Sequence, residues 1–322
     1  MWRRNQRPKH KLLILTSDLN FKGAVVTAPF FLPVMWQFIS TGKIKYNVPM
    51  IFDCGKYLLN LNRPHVMGIV NVTPDSFSDG GKFNTTHSAV EHALQLVADG
   101  ADILDIGGES TRPGATPVSL DEELSRVIPV IEALSKVCAL PISIDTYKPE
   151  VMRQAIVAGA NIVNDIRALQ EPGALEVVAG SHVGVCLMHM QGLPQTMQLE
   201  PNYQDVVAEV RQFLVGRLNV ALSCGIDRSR ILLDPGFGFG KTRAHNILLI
   251  QHLTDIADIG QPLLVGLSRK AILGAIAGGD EQQKLHAGIA ASVISTMKGA
   301  NIVRVHDVKA TVDALKVVAA VL

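Results

Sequence analysis

The sequence predicts a closed (β/α)₈ barrel, an α/β fold of the TIM-barrel class. Three observations carry this expectation. Eight short apolar runs succeed one another between residues 65 and 307, each rich in strand-forming residues. Longer amphipathic stretches separate them, with apolar residues recurring at three- and four-residue spacing, the helical period. Each run also ends in a polar or glycine-rich stretch. Continuous apolar strands alternating with helices read as parallel βα units, and eight such units make a barrel of about 250 residues. An open doubly wound sheet is the alternative, but its first βα turn requires a nucleotide fingerprint. That turn reads NVTPDSFSDGG and does not match.

In order, the runs are HVMGIVNV, ADILDIGG, PISIDT, NIVNDI, GVCLMHM, ILLDPGF, PLLVGLS and NIVRVHD. Among the intervening segments, HSAVEHALQLVADG and SLDEELSRVIPVIEALSKV are the clearest helices, and a glycine after the last periodic residue closes the first. The strand ends are the informative positions. The first run ends at Asn71 and the second at Asp105, with Glu109 beyond it. The third ends at Asp145 and the fourth at Asn164 and Asp165. The sixth ends at Asp234, the seventh at Ser268, Arg269 and Lys270, and the eighth at Arg304 and His306. In a barrel all of these lie on the C-terminal face, where active sites form. Arg304 and His306 are two apart, so both are expected on one face of their strand as a compact cationic pair, with Lys270 on the neighbouring strand.

Each position has a plainer reading. Asp145 could cap the helix that starts near Pro149. Asn164 and Asp165 could satisfy a loop, and Asp234 could hold a glycine-rich turn. Lys270 could be a solvated helix-start lysine or a Schiff-base lysine. His189, in the fifth run, is a core histidine and is left unassigned. The plain readings weaken together, because carboxylates and amides gathered at one mouth are costly to bury unless they meet a ligand or each other. Two subsites result. Asp145, Asn164 and Asp234 suit a nitrogen-rich heterocycle with several N–H donors. Arg304, His306 and Asn71 suit an anion, and a phosphate or diphosphate in particular.

The stretch LLDPGFGFGKT, residues 232–242, resembles a phosphate-binding P-loop. The P-loop pattern needs a glycine where Pro235 stands, and proline has no N–H to offer a phosphate. Gly236, Gly238 and Gly240 are spaced by two, so they do not make G-x-G-x-x-G either. The stretch reads instead as a strand end at Asp234 followed by a loop whose glycines allow close approach to a flat ring.

Composition excludes several classes. The chain has 322 residues, is 48% hydrophobic and 18% charged, and carries a formal charge of +1. That describes a soluble enzyme with a large core and no general electrostatic pull toward nucleic acid or membrane. Cys54, Cys138, Cys186 and Cys224 show no C-x-x-C spacing and read as reduced core thiols of a cytosolic protein. Residues 1–49 stand apart. They are basic, then apolar, with two prolines in the apolar run, too broken for a membrane span. Upstream sequence ahead of a start at Met50, a poorly ordered extension and a targeting segment are the three readings, in that order of preference. The catalytic domain is placed at 50–322.

The motifs MGIVNVTPDSFSDGG, DILDIGGESTRPGA, SIDTYKPEV, NIVNDI, LMHMQG, LLDPGFGFGK, LLVGLSRK and IVRVHDV, in this order, resemble those of the dihydropteroate synthases of bacterial folate biosynthesis. The resemblance runs from about Met50 to the C-terminus. It implies a transferase that condenses 6-hydroxymethyl-7,8-dihydropterin diphosphate with p-aminobenzoate. It further implies that Asp145, Asn164, Asp234 and Lys270 hold the pterin. Asn71, Thr111, Arg112, Arg304 and His306 would hold the diphosphate, with Mg²⁺ on Asn71. Phe77, Thr111, Pro113, Phe239 and Ser268 would shape the p-aminobenzoate pocket, where sulfonamides would compete. Asp145, Lys270, Arg304 and His306 would carry the catalysis. A cytoplasmic homodimer is implied as well. A pterin-dependent methyltransferase and a non-catalytic pterin-binding paralogue are the alternatives. One assay separates all three: diphosphate release that requires both substrates.

Overall fold

Alternation of side chains along eight short strands sets the plan of the molecule. The computed structural model describes residues 50–73, 82–110, 114–278 and 280–321. The readings made for residues 1–49 and for Phe77, Thr111, Arg112 and Pro113 fall outside them. A two-stranded hairpin comes first, β1 (Ile51–Cys54) and β2 (Tyr57–Asn60). Then follow β3 (His65–Asn71), β4 (Ile103–Gly107), β5 (Ile142–Asp145), β6 (Ile162–Asp165), β7 (Gly184–Met188), β8 (Ile231–Asp234), β9 (Leu263–Val265) and β10 (Ala300–Val305). These eight are parallel and close into a barrel in the order β10-β3-β4-β5-β6-β7-β8-β9. Each of the eight runs read from the sequence holds one barrel strand.

The helices are α1 (Lys82–Ala98), α2 (Leu120–Val137), α3 (Pro149–Ala158), α4 (Ala174–Ala179), α5 (Val206–Ser223), α6 (Arg243–Gln251), α7 (Leu253–Ala257), α8 (Ala271–Ala277), α9 (Glu281–Met297) and α10 (Val308–Val321). Their ends follow local chemistry. Ser119 caps α2 by accepting from the Glu122 N–H, and Asp121, Glu122 and Glu123 in the first turn complement the helix dipole. Asp205 caps α5 by accepting from the N–H groups of Val207 and Ala208. Proline opens α3, and Gly159 closes it at φ +118°.

Strand residues with one parity face the helices, among them Val66, Leu104, Ile106, Ile144 and Val163. Those with the other parity fill the barrel: Met67, Ile103, Ile162, Cys186, Leu232, Leu264 and Ile302. The hairpin, which the sequence reading did not anticipate, adds Phe52, Cys54 and Leu61 to the same interior cluster. Phe52 therefore plugs the end of the barrel away from the strand tips. A Cβ on Gly184 would lie only 2.4 Å from the Phe52 ring, so β7 has to begin with glycine. Removing the plug by Phe52→Ala would cost about 3–5 kcal/mol in cavity and transfer terms. One expectation is corrected here. Cys54 and Cys186 are buried, but Cys224 is exposed at the C-terminal cap of α5, so it is not a core thiol.

Candidate active site

Two residues above the apolar barrel layer the same parity brings a polar ring. Asp105 follows Ile103, Asn164 follows Ile162, Asp234 follows Leu232 and Arg304 follows Ile302, each by two positions; Asp145 stands two beyond Ser143. Strand pairing sets Asn71 beside Gly107, Gly107 beside Asp145, and Asp145 beside Asn164. Gly107 keeps that row open: a Cβ there would meet Asp145 and the Asn71 side-chain oxygen at 3.6–3.9 Å.

Arg304 organises the ring. Its Nε donates to Asp105 Oδ2 and its Nη2 to Asp145 Oδ2, both at 2.6 Å. Asn164 Nδ2 donates to the same Asp105 oxygen at 3.3 Å. Asp105 is fully buried, and its Oδ1 has no hydrogen-bond partner among the described residues. One guanidinium cannot neutralise two carboxylates. Burial pushes Asp145 well above the usual carboxylate range, against the pull of Arg304 and with Asp105 adding to the rise. Burial disfavours the charge on Arg304 too, but Asp105 and Asp145 more than offset it and hold it firmly protonated. Asp145 is thus disposed to hold a proton more readily than an ordinary carboxyl, while Arg304 keeps its charge. Asp145 does not cap α3; the capping position is Lys148.

Asp234 accepts from the Gly236 N–H at 2.7 Å, and burial raises it to about 6 despite that bond and the nearby Lys270 and Lys241. The glycines beyond it serve close packing. A Cβ on Gly236 would lie 1.9 Å from the His189 carbonyl oxygen, and one on Gly240 would lie 2.3 Å from that of Gln191. Lys241, the lysine of the P-loop-like stretch, turns into the protein. Its Nζ donates to the carbonyls of Gly236 (2.8 Å) and Phe239 (3.0 Å) and to His189 Nδ1 (2.9 Å). Burial and the Lys241 charge depress His189 to about 2, so its ring is neutral and Nδ1 accepts. The lysine that would grip a phosphate in a nucleotide site is here the pin of its own loop.

Lys270 starts α8 and lies over the Phe239 ring, 4.1 Å from its centroid. Phe239 packs with Ile166, Met188 and Met197. Arg304 lies within β10, and His306 lies one residue past its last residue, Val305. His306 Nδ1 sits 3.1 Å from Ser268 Oγ, which also accepts from the His306 N–H. Arg304 is drawn down to the buried carboxylates. Asp165, next to Asn164, faces the opposite way. It accepts from the N–H groups of Arg167 and Leu169, both at 2.7 Å, and so supports a loop in which Ala168 and Leu169 have positive φ.

A protein family described as Pterin binding enzyme matches residues 67–306, the barrel from its first parallel strand to just past its last. Over 264 residues the chain is 52% identical to dihydropteroate synthase of Escherichia coli K12, covering 82% of this chain and 94% of that protein. The chain belongs to the dihydropteroate synthase family. Solved members superpose closely. Dihydropteroate synthase of Xanthomonas albilineans with 4-aminobenzoic acid is 54% identical at a TM-score of 0.81, over 85% of this chain and 98% of that one. The Yersinia pestis dihydropteroate synthase with a sulfonamide drug is 49% identical at a TM-score of 0.80, over 84% and 98%.

For a dihydropteroate synthase, two features went unassigned in the sequence. Asp105 was visible as a strand end, but its role as the link between Asn164 and Arg304 was not. Its position two past a barrel-filling isoleucine, at the same height as Asn164 and Asp234, was the available signal. The second is Lys148, which bonds Glu109, Glu123 and a backbone carbonyl at 2.6 Å each. In the sequence it is only a lysine before a helix-opening proline.

Proposed function

We infer that the barrel mouth condenses 6-hydroxymethyl-7,8-dihydropterin diphosphate with p-aminobenzoate, giving 7,8-dihydropteroate and diphosphate. The observation that carries this reading is the inward ring of Asp105, Asp145, Asn164 and Asp234, with an unpartnered acceptor at Asp105 Oδ1. Such a ring suits the donor-rich edge of a pterin, while Lys270, poised over Phe239, suits its carbonyl and N5 side. In the proposed reaction the C–O bond to diphosphate breaks and the reduced ring delocalises the positive charge. Asp145 and its neighbours stabilise that charge as it develops. Arg304 and His306 hold the departing anion; two of the five Arg304 N–H groups are committed to carboxylates, which leaves Nη1 for phosphate oxygens. Phe239 and Ser268, together with Phe77, Thr111, Arg112 and Pro113, are proposed to seat p-aminobenzoate and complete the anion site.

Mg²⁺ fits this site as a companion of the diphosphate. Among the described residues no group of three His, Cys, Asp or Glu side chains could hold a metal. Asn71 offers one hard oxygen, and Mg²⁺ commonly takes one or two protein oxygens and completes its shell with phosphate oxygens and water. When bound it neutralises charge on the leaving group. A homodimer in the cytoplasm remains part of the proposal. No described helix is long and apolar enough to cross a membrane. The names of the relatives do not favour a methyltransferase or a non-catalytic paralogue. The deciding assay is diphosphate release that depends on both substrates. Release at full rate without p-aminobenzoate, or none with both present, overturns the reading.

A further inference from the structure

The loop from β4 to α2 leaves the barrel at Gly108 and returns at Ser119. Both ends are held by one ammonium. Lys148 Nζ donates to Glu109 Oε2 where the loop leaves, to the Val118 carbonyl where it returns, and to Glu123 Oε2 in the first turn of α2. Lysine has three N–H donors, and here each has its own acceptor. Burial opposes the charge, but the bonds to Glu109 and Glu123 outweigh it and hold Lys148 above the usual lysine range. Glu109 uses its second oxygen on the Tyr147 hydroxyl at 3.3 Å, and Tyr147 packs against the cluster that contains Phe239. Two further contacts press the loop's start onto α2. Arg126 Nη1 donates to the Gly108 carbonyl at 2.7 Å, and a Cβ on Gly108 would lie 2.7 Å from Val127.

We propose that Lys148 is a positioning residue for the p-aminobenzoate half of the site. It touches none of the ring-facing carboxylates. It fixes the described ends of the β4–α2 loop at Glu109 and Val118, and through Glu109 and Tyr147 it joins them to the wall that contains Phe239. The inference rests on the proposed function, since it takes Phe239 as part of the amine's seat. Its chemistry is specific: a compact ammonium reaches three acceptors converging on a point, which the flat guanidinium of arginine does not reproduce.

The test is steady-state kinetics on the full chain. Lys148→Met is expected to raise KM for p-aminobenzoate about tenfold or more, as ångström-scale misplacement of a binding wall does. Its affinity for pterin diphosphate, read by calorimetry, should stay within about twofold. Lys148→Arg should recover only part of the loss. If Lys148→Met is insoluble, Glu109→Gln serves for the same two readings, because it leaves Lys148 paired with Glu123 and Val118. An unchanged KM for p-aminobenzoate, or equal losses for both substrates, overturns the proposal. No turnover in the unaltered chain would instead sink the proposed function.

Discussion

Arg304 and Asp105 meet across the barrel: the Nε of a residue on β10 lies 2.6 Å from a carboxylate on β4, two strands away around the closed sheet. The bond is buried on the Asp105 side, and the same guanidinium continues to Asp145 on β5. It ties three strands at the height where the inward polar residues converge.

Asp105→Ala leaves Arg304 its bond to Asp145 but takes the buried acceptor from Arg304 Nε and from the Asn164 amide. It should therefore destabilise the protein by about 1–3 kcal/mol, the usual cost of leaving a buried donor unsatisfied. In an Arg304→Met background the same substitution should cost much less. Urea denaturation of the four proteins completes the cycle. If the two effects add to within about 0.5 kcal/mol, the bond has no coupling energy and the account of Arg304 is wrong.

The bond order of the reaction is open to a direct experiment. The amine of p-aminobenzoate is a weak nucleophile, whereas the reduced pterin can carry positive charge. C–O cleavage is expected to run ahead of C–N formation. Substrate labelled with ¹⁸O at the bridging oxygen, incubated with the enzyme and Mg²⁺ but no p-aminobenzoate, should return with label in non-bridging positions. Arg304→Gln should suppress the exchange. Lack of exchange together with rates that climb steeply with aniline basicity would establish direct displacement.

Stability should depend on pH through Asp234. Burial raises it from 3.8 to about 6. A carboxyl with a raised value binds its proton more tightly when folded. Its contribution to stability is therefore complete below 3.8 and is lost as pH rises through about 6. Asp234→Asn removes that loss. It should melt higher than the parent at about pH 8 and level with it at about pH 4. The gap between 3.8 and about 6 sets a ceiling of ~3 kcal/mol. A constant offset across the range would show that the carboxyl is not titrating as described. The same variant should lose affinity for pterin.

Lys241 should matter to the fold. Lys241→Ala deprives the carbonyls of Gly236 and Phe239 of a buried donor, at about 1–3 kcal/mol each. Thermal melts should fall accordingly, and ATP should not bind the parent or the variant. Tight ATP binding by the parent that Lys241→Ala abolishes would restore the nucleotide reading of this loop.

Residues 1–49 should be dispensable for catalysis. The Escherichia coli relative is matched over 94% of its length by 82% of this chain, and the family pattern begins at Met67. A chain starting at Met50 is expected to keep the activity and melting temperature of the full chain. Loss of either assigns these residues a part in the enzyme.

The barrel was legible because its strands obey one alternation. Ile103 and Asp105, Ile162 and Asn164, Leu232 and Asp234, Ile302 and Arg304 each state in sequence that an apolar filler is followed by a polar residue on the same face. The neighbours Asn164 and Asp165 show how far this goes: parity alone sends one inward and the other to a loop. What failed to show was tertiary. The runs IFDC and YLLN are too short to announce a plug, and only the Phe52–Gly184 contact gives them a purpose. Parity put Arg304 inside the barrel but could not say that it would cross to Asp105 and Asp145. Lys148 was invisible because its three acceptors come from segments up to 39 residues away.

Phe52 fills one end of the barrel, so among the described residues Asp234 is approached from the strand tips. If the ring seats on Asp234 and the amine above it, as proposed, the ring has to go down before the amine settles, and an amine already lodged there would bar it. The joined product would then have to leave whole, from the same side, before the next ring could descend.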